Sequence, residues 1–540
     1  MLSHLKKHPE LRVVVVAAIA FFVLVLGFSL HRYNVFYADS DHGIFSQVFW
    51  NGIHGRFFQS SLSGTYSVSV AQDGDVAAVY YHRLAQHFTP ALLLWLPLYA
   101  LFPSPITLIV LKVALITGGG LVLYALSRHY LSPPISAMIA LSFYGANTVI
   151  GPALGEFYDF AQMPLFVFGM LLAMEKRWWW LFGLLGVLTL LIREDAGLVV
   201  FGIGIYMILS KRFPRIGIGT CALSGGYMLL VTTVLMPLFT DEVSRRFMIE
   251  EFGQFTDDQQ ASTVDVIGAI ARRPWIILQE LFFPLSKTIK YILGHLLPLA
   301  FVPTLSPPAW MISGLPLLEN LLRREDGPLS INIRYTTPVV PGLFYGAILW
   351  WSRHQEGFKS LRMRRFWALC ICLSLFFTFT SNPGRAWSFI LPDSISPLVY
   401  VPITSQWEHA DQVRSLLDQV PPDASISTSR FIVAHVPNRR AALRFPQLRF
   451  RNDNRKVEGV DYVMVDFWFS TQYQKAFQES RNTLKTDVTV VDRILRDRRY
   501  GILDFKEGVI LLGKKAESNL TALANWQTFR KQLEPLLKDG

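Results

Sequence analysis

Residues 13–30 read VVVVAAIAFFVLVLGFSL, eighteen residues without a charge, preceded by Lys6, Lys7 and Arg12. A run of this length lies near the lower limit for a helix that crosses a bilayer. The cations before it hold its start on the cytoplasmic side. A cleaved signal peptide would have a shorter apolar core and a small-x-small site behind it, so the stretch is read as a retained anchor.

Working outward, further apolar blocks occupy 106–126, 135–150, 160–174, 178–192, 196–209, 216–239, 291–305, 309–322, 338–351 and 366–380, which predicts about eleven transmembrane helices. An odd count puts the C-terminus outside. The positive-inside rule agrees, because Arg128, Lys176, Arg177, Lys211, Arg212, Arg215, Arg353, Lys359, Arg362, Arg364 and Arg365 all fall in loops expected inside. The loop after Leu305, rich in proline and poor in charge, supports its two flanking blocks least.

Composition points the same way. Of 540 residues 51% are apolar and 14% aromatic, with a mean hydropathy of +0.32, above soluble globular usage. The excess is confined to residues 13–380, so a multi-pass domain over 1–381 and a soluble extracytoplasmic α/β domain over 382–540 are expected. A net charge of +11 belongs to the inner loops and does not call for nucleic acid. Cys221, Cys370 and Cys372 lie inside apolar blocks and suggest neither zinc nor a disulfide framework.

Two outer loops are long, 31–104 and 240–290. In the first, Ile44, Phe45, Val48, Phe49, Ile53 and Phe57 recur at helical spacing, which predicts an amphipathic helix lying flat on the membrane. Residues 89–103 are apolar but short and broken by proline, as in a second surface or re-entrant helix. In the C-terminal region a helix near 406–420, strands at 425–428 and 462–467 and a hairpin over 500–514 turning at Lys506-Glu507-Gly508 are expected. The basic run 439–456 reads as a solvated face or as a face leaning on anionic headgroups.

Polar clusters at the outer ends of the spans are the candidates for chemistry. Asp41, just after the first span, could accept a proton from a hydroxyl or cap the helix that follows. Glu156 and Asp159 would share one helix face if the segment were helical, where they could hold a divalent cation or a sugar; a solvated loop is the alternative. His87 lacks any metal-ligand spacing. Arg193-Glu194-Asp195 form a tight outer turn and Arg334-Tyr335 precede a span. The arginines suit phosphate, although a salt bridge within the turn explains Arg193 equally well. Lys112 sits about two turns into its span, where its stem can snorkel to the outer surface.

With these segments placed, the chain resembles a bacterial family of uncharacterised multi-pass membrane proteins. The resemblance is carried by Asp41-His42-Gly43-Ile44-Phe45-Ser46-Gln47, His87-Phe88-Thr89-Pro90, Pro97 to Pro103, Phe157-Tyr158-Asp159-Phe160, Arg193-Glu194-Asp195 and Asp461 to Asp466. It departs where Ala161-Gln162-Met163 replace the usual His-Pro-Glu, and where Arg334 stands for a more frequent histidine. The architecture is similar to the GT-C glycosyltransferase superfamily, which implies a polyprenyl-phosphate sugar donor, an extracytoplasmic acceptor and Asp41 as base. Arg193, Arg334 or Lys112 would hold donor phosphate, with Glu156 or Asp159 on sugar or metal. A transporter or lipid flippase would show repeats and mid-membrane polar sites, neither of which stands out. A non-enzymatic surface sensor is the third reading. All three place the chain in the bacterial inner membrane.

Overall fold

The computed structural model describes residues 9–240, 242, 251–255, 263–323 and 327–538. The chain is mostly helical and divides into two compact units, one drawn from Met1–Gly27, Leu84–Pro97 and Leu108–Gly384, the other from Phe28–Arg83, Leu98–Thr107 and Arg385–Gly540.

The first unit is built of apolar helices. Among the described residues four helices are long and apolar enough to cross a membrane: Pro9–Asn34, Pro105–Ser127, Pro214–Leu238 and Leu361–Ser381. A fifth is possible if Pro133–Tyr144 and Asn147–Leu154, bent by 43° at their junction, form one span. Val16, Ile19, Val23 and Leu24 of the first helix are each more than half exposed, as expected of a helix that faces lipid.

The predicted blocks are helical except 135–150, which is interrupted at Gly145 and Ala146, and 291–305, which breaks at Ala300 and Phe301, both with positive φ. The count of eleven spans is not confirmed. Met163–Glu175, Trp179–Leu190, Gly197–Leu209, Pro307–Leu322 and Val340–Arg353 have 12 to 16 residues. At 1.5 Å per residue they reach about 18–24 Å, less than the roughly 30 Å hydrocarbon core. Small residues let them approach closely, as packing in lipid requires. A Cβ on Gly204 would lie 2.9 Å from the carbonyl oxygen of Gly217, and one on Gly202 would meet the Met311 carbonyl oxygen at 2.8 Å.

The second unit holds a five-stranded sheet in the order Ala442–Arg444, Ile426–Thr428, Tyr462–Asp466, Val509–Lys514, Tyr500–Lys506. The first three strands are parallel and the last two close an antiparallel hairpin through Glu507 and Gly508, both at positive φ. That turn is where the sequence places it. Helices Ile403–Leu417, Gln478–Arg496 and Leu520–Lys538 accompany the sheet, and Ala77–Ala78 of the first long loop pairs in parallel with Arg449–Arg451.

One expectation is corrected here. The helix Ser40–Ile53 does not lie on a surface: Ile44, Phe45, Val48 and Phe49 are buried, and so are Ser46, Gln47 and Asn51 on the polar side. Gln47 explains how the polar side is satisfied. Its Oε1 accepts from Ser60 Oγ at 2.7 Å and Leu62 N at 3.0 Å, while its Nε2 donates to Ser61 Oγ at 3.0 Å and the Arg439 carbonyl at 3.1 Å. A helical apolar period states that one face is covered and leaves open whether lipid or protein covers it. The segment 90–101 does expose its apolar side chains, among them Leu93, Leu94 and Leu101.

The run 439–456 is no continuous solvated face either. Arg439 is buried and donates to the Ala424 carbonyl at 2.9 Å, Arg440 pairs with Asp453, and Arg451 with Asp75 at 3.2 Å, leaving Arg449, Arg455 and Lys456 exposed.

Gly43 marks the tightest contact of the buried helix, since a Cβ there would lie 2.7 Å from Val433 Cγ1 and 2.9 Å from the Val433 carbonyl oxygen. Gly43→Ala is expected to destabilise by about 1–3 kcal/mol through overpacking, against a helix-propensity gain of roughly 1 kcal/mol. Gly27→Ala, with nothing within 4 Å, should be neutral or stabilising. Thermal unfolding of both variants in one detergent checks this; an unfolding temperature no lower for Gly43→Ala than for Gly27→Ala would contradict it.

Candidate functional site

In the helical unit the chain returns from Trp179–Leu190 to Gly197–Leu209 through a turn at Arg193-Glu194-Asp195. The turn gathers charge from distant parts of the sequence. Arg193, 1% exposed, donates Nε to Asp195 Oδ1 at 2.8 Å and Nη2 to Asp195 Oδ2, and its guanidinium lies 4.2 Å from the Phe160 ring centroid and 5.7 Å from that of Tyr335. Asp195 also accepts from Arg323 Nη2 at 3.3 Å. Arg323 in turn reaches Glu319 at 2.7 Å and Glu251 at 3.2 Å.

Glu194, whose Oε1 is 4.0 Å from Arg193 Nε, has further partners. Its Oε1 is 2.7 Å from His87 Nδ1 and its Oε2 accepts from Phe88 N at 2.8 Å, tying the His87 segment to the turn. Burial, and then the adjacent Asp195 carboxylate, push the Glu194 carboxyl up to about 8, so it can carry a proton near neutrality. Burial pushes Asp195 the same way, but the Arg193 charge and hydrogen bonds, with Arg323, outweigh it and hold Asp195 below its ordinary range.

Asp159 also acts electrostatically on Arg193. It opens the short helix Asp159–Gln162, where its Oδ1 accepts from Phe160 N at 2.9 Å. Residues 155–158 are not helical, so Glu156 and Asp159 do not share a helix face. Among the described residues no group of three or more His, Cys, Asp or Glu is placed to hold a metal ion. Lys112 corrects the snorkelling expectation: it is fully buried and its Nζ donates to the Gly155 carbonyl. An ammonium buried inside protein needs such an acceptor, and the loop next to Glu156 supplies it. Arg334 and Tyr335 lie together, half-buried, with the guanidinium 5.4 Å from the ring centroid.

The structure thus brings His87, Asp159, Arg193, Glu194 and Tyr335 together, and adds Arg323, Glu319 and Glu251, which sequence reasoning missed. A signal was present. Glu319 and Arg323 stand four apart at the end of an apolar block, the spacing of a helical ion pair.

In the second unit the helix Ser40–Ile53 is capped by Asp39, whose side chain accepts from Ser40 N and Oγ. Asp39 also takes a two-pronged contact from Arg430, with Nε to Oδ1 at 2.7 Å. Asp41 is therefore not the cap; it stands in the first turn, where a negative charge is favoured. Its neighbour His42 is buried, with Nε2 3.1 Å from the Pro105 carbonyl oxygen. Tyr66 lies within electrostatic reach of Asp39 and Asp41 and hydrogen-bonds Ser40 Oγ at 2.7 Å and Arg444 Nη1 at 2.8 Å. A carboxylate in this setting can take a proton from a hydroxyl that reaches the helix start.

The family described as "Predicted membrane protein (DUF2079)" matches residues 31–511. The chain belongs to that family. No curated protein sequence matches. Two solved structures of ArnT from Cupriavidus metallidurans superpose on it, both at 11% identity: the form bound to undecaprenyl phosphate with a TM-score of 0.48, over 92% of this chain and 97% of that one, and the apo form with 0.41, over 92% and 98%. Likenesses at that level carry no weight in the argument for function.

Proposed function

We propose that this DUF2079 protein is a membrane glycosyltransferase of the GT-C kind, moving a sugar from a polyprenyl-phosphate donor to an acceptor outside the cytoplasm. The observation that supports it most is the buried ionic cluster around Arg193. Ionisable side chains among apolar helices are costly and mark functional positions, and this cluster joins His87, Glu194, Asp195 and Arg323 at the ends of such helices. In this reading Asp41 takes the acceptor hydroxyl proton as the oxygen attacks the anomeric carbon, and the donor phosphate departs with the bonding pair. Arg334, half-buried beside Tyr335, holds that phosphate. Arg193 and Lys112, which donate to Asp195 and to the Gly155 carbonyl, hold the turn and the loop at Glu156 and Asp159 where the sugar would sit.

A deletion strain tests the reaction. It is expected to accumulate a polyprenyl-phosphate sugar and to lack one sugar on a surface glycan, compared with its parent. Unchanged lipid-linked sugars and unchanged glycans would refute the proposal.

The reading also requires the C-terminus outside. A periplasmic reporter fused after Lys515 and a cytoplasmic reporter fused after Arg364 should both be active. Activity of a cytoplasmic reporter after Lys515 would overturn the orientation.

A further inference from the structure

The five-stranded sheet reverses its order at Ile426–Thr428. From that strand the chain goes to Ala442–Arg444 on one side and then to Tyr462–Asp466 on the other, all three parallel. Connections that diverge from the carboxyl ends of parallel strands leave a crevice at such a point, the usual place for a ligand in an open α/β sheet. A cavity of about 260 Å³ opens there. Its wall includes Arg430 just after the first strand, Arg444 at the end of the second and Asp466 at the end of the third. The first turn of the 19-residue helix Gln478–Arg496 lines it too, adding backbone N–H groups that favour an anion.

The wall sets three guanidinium groups, on Arg385, Arg430 and Arg444, against the carboxyl groups of Asp466, Glu479 and Asp487. Arg430 is engaged by both Asp39 and Glu479, and Asp466 is held 3.0 Å from His409 Nε2. Arg385 lies over the rings of Phe469, Tyr473 and Phe477, 3.9 Å from the Tyr473 centroid. Arg444 donates to the Tyr66 hydroxyl at 2.8 Å. Among the described residues neither Arg385 nor Arg444 has a carboxylate at ion-pair distance. Burial first, and Asp466 against the pull of Arg444, push the Asp487 carboxyl up to about 7, so near neutrality it is only partly ionised.

We propose that this cavity binds a soluble small molecule through a phosphate group held by Arg385 and Arg444. The guanidinium fork matches phosphate oxygens, and two such charges answer the dianion of a phosphate monoester better than a singly charged carboxylate. The volume of about 260 Å³ suits a small ligand. The inference uses neither the ionic cluster at Arg193 nor Asp41, and it stands whether or not the chain transfers a sugar.

The test uses the full chain in phosphatidylcholine nanodiscs, with phenylglyoxal labelling of individual arginines read by mass spectrometry. Inorganic phosphate or glucose 6-phosphate should slow labelling of Arg385 and Arg444, while the exposed Arg449 and Arg455 label at an unchanged rate and chloride of equal ionic strength has no effect. Arg385→Gln should raise the phosphate concentration that half-protects Arg444 about tenfold, the loss expected for a charged hydrogen-bonding partner. If the variant does not fold, the protection pattern of the unaltered protein decides alone. Three results would overturn the assignment: equal labelling in phosphate and chloride, equal protection of all four arginines, or protection only in nanodiscs containing phosphatidic acid, which would make the ligand a lipid headgroup.

Discussion

Asp41→Asn is expected to lower sugar transfer by about 10²–10⁴-fold, the contribution of a positioned general base, while leaving the protein folded and inserted. The two halves of this expectation have separate causes. Asparagine keeps the shape of the side chain and removes the proton acceptor. The cap of the helix Ser40–Ile53 is untouched, because Asp39 and not Asp41 accepts from Ser40 N. What the helix loses is one negative charge in its first turn, about 0.3–1 kcal/mol. Asp39→Asn should behave oppositely, since Asp39 both caps the helix and pairs with Arg430, and its loss should lower the unfolding temperature. The measurement is the amount of modified glycan restored to the deletion strain by each variant, normalised to protein in the membrane. Activity of Asp41→Asn within about a factor of two of the parent would leave Asp41 a first-turn helix residue and no more.

Arg193→Met is expected to cost about 3–5 kcal/mol, the penalty for removing one partner of a buried ion pair. The residue is 1% exposed and meets Asp195 through two hydrogen bonds. Its loss leaves Arg323, at 3.3 Å, as the remaining cation beside that carboxylate among the described residues, and that arginine is also engaged by Glu319 and Glu251. The double variant Arg193→Met, Asp195→Leu should recover more than half of the lost stability, because an ion pair and well-packed apolar residues of similar volume are often equivalent inside a protein. Thermal unfolding of both variants in detergent reads this directly. Glycan restoration adds a second readout: a stable double variant that fails to restore the glycan shows that the charged turn serves the reaction, whereas a stable and active one reduces it to packing.

Much of the architecture was legible in the sequence. The run 13–30 and its basic flank identify the first membrane helix, which the structure extends to Pro9–Asn34. The helix near 406–420, the strands after Ser425 and Tyr462 and the hairpin at Gly508 stand within a few residues of their expected places, because alternation, turn chemistry and helical period are local properties. The number of spans was less accessible. Apolar composition marks a block as buried without fixing whether 13 helical residues are enough to cross the bilayer, and the breaks at Ala300 and Phe301 carry no glycine to announce them.

The candidate site divides along the same line. Residue type alone singled out His87, Asp159, Arg193, Glu194 and Asp41, since ionisable groups next to apolar runs are rare enough to be noticed one by one. Only the tertiary structure decided their partners. His87 meets Glu194 across 107 residues, Arg323 meets Asp195 across 128, and Asp39 meets Arg430 across 391. It also decided that the helix after Asp41 is buried in protein and that Lys112 turns to the Gly155 carbonyl. The reason is physical: hydrophobic period and charge are properties of a segment, but the cost of burying a polar group depends on what stands opposite it, and that neighbour comes from elsewhere in the chain.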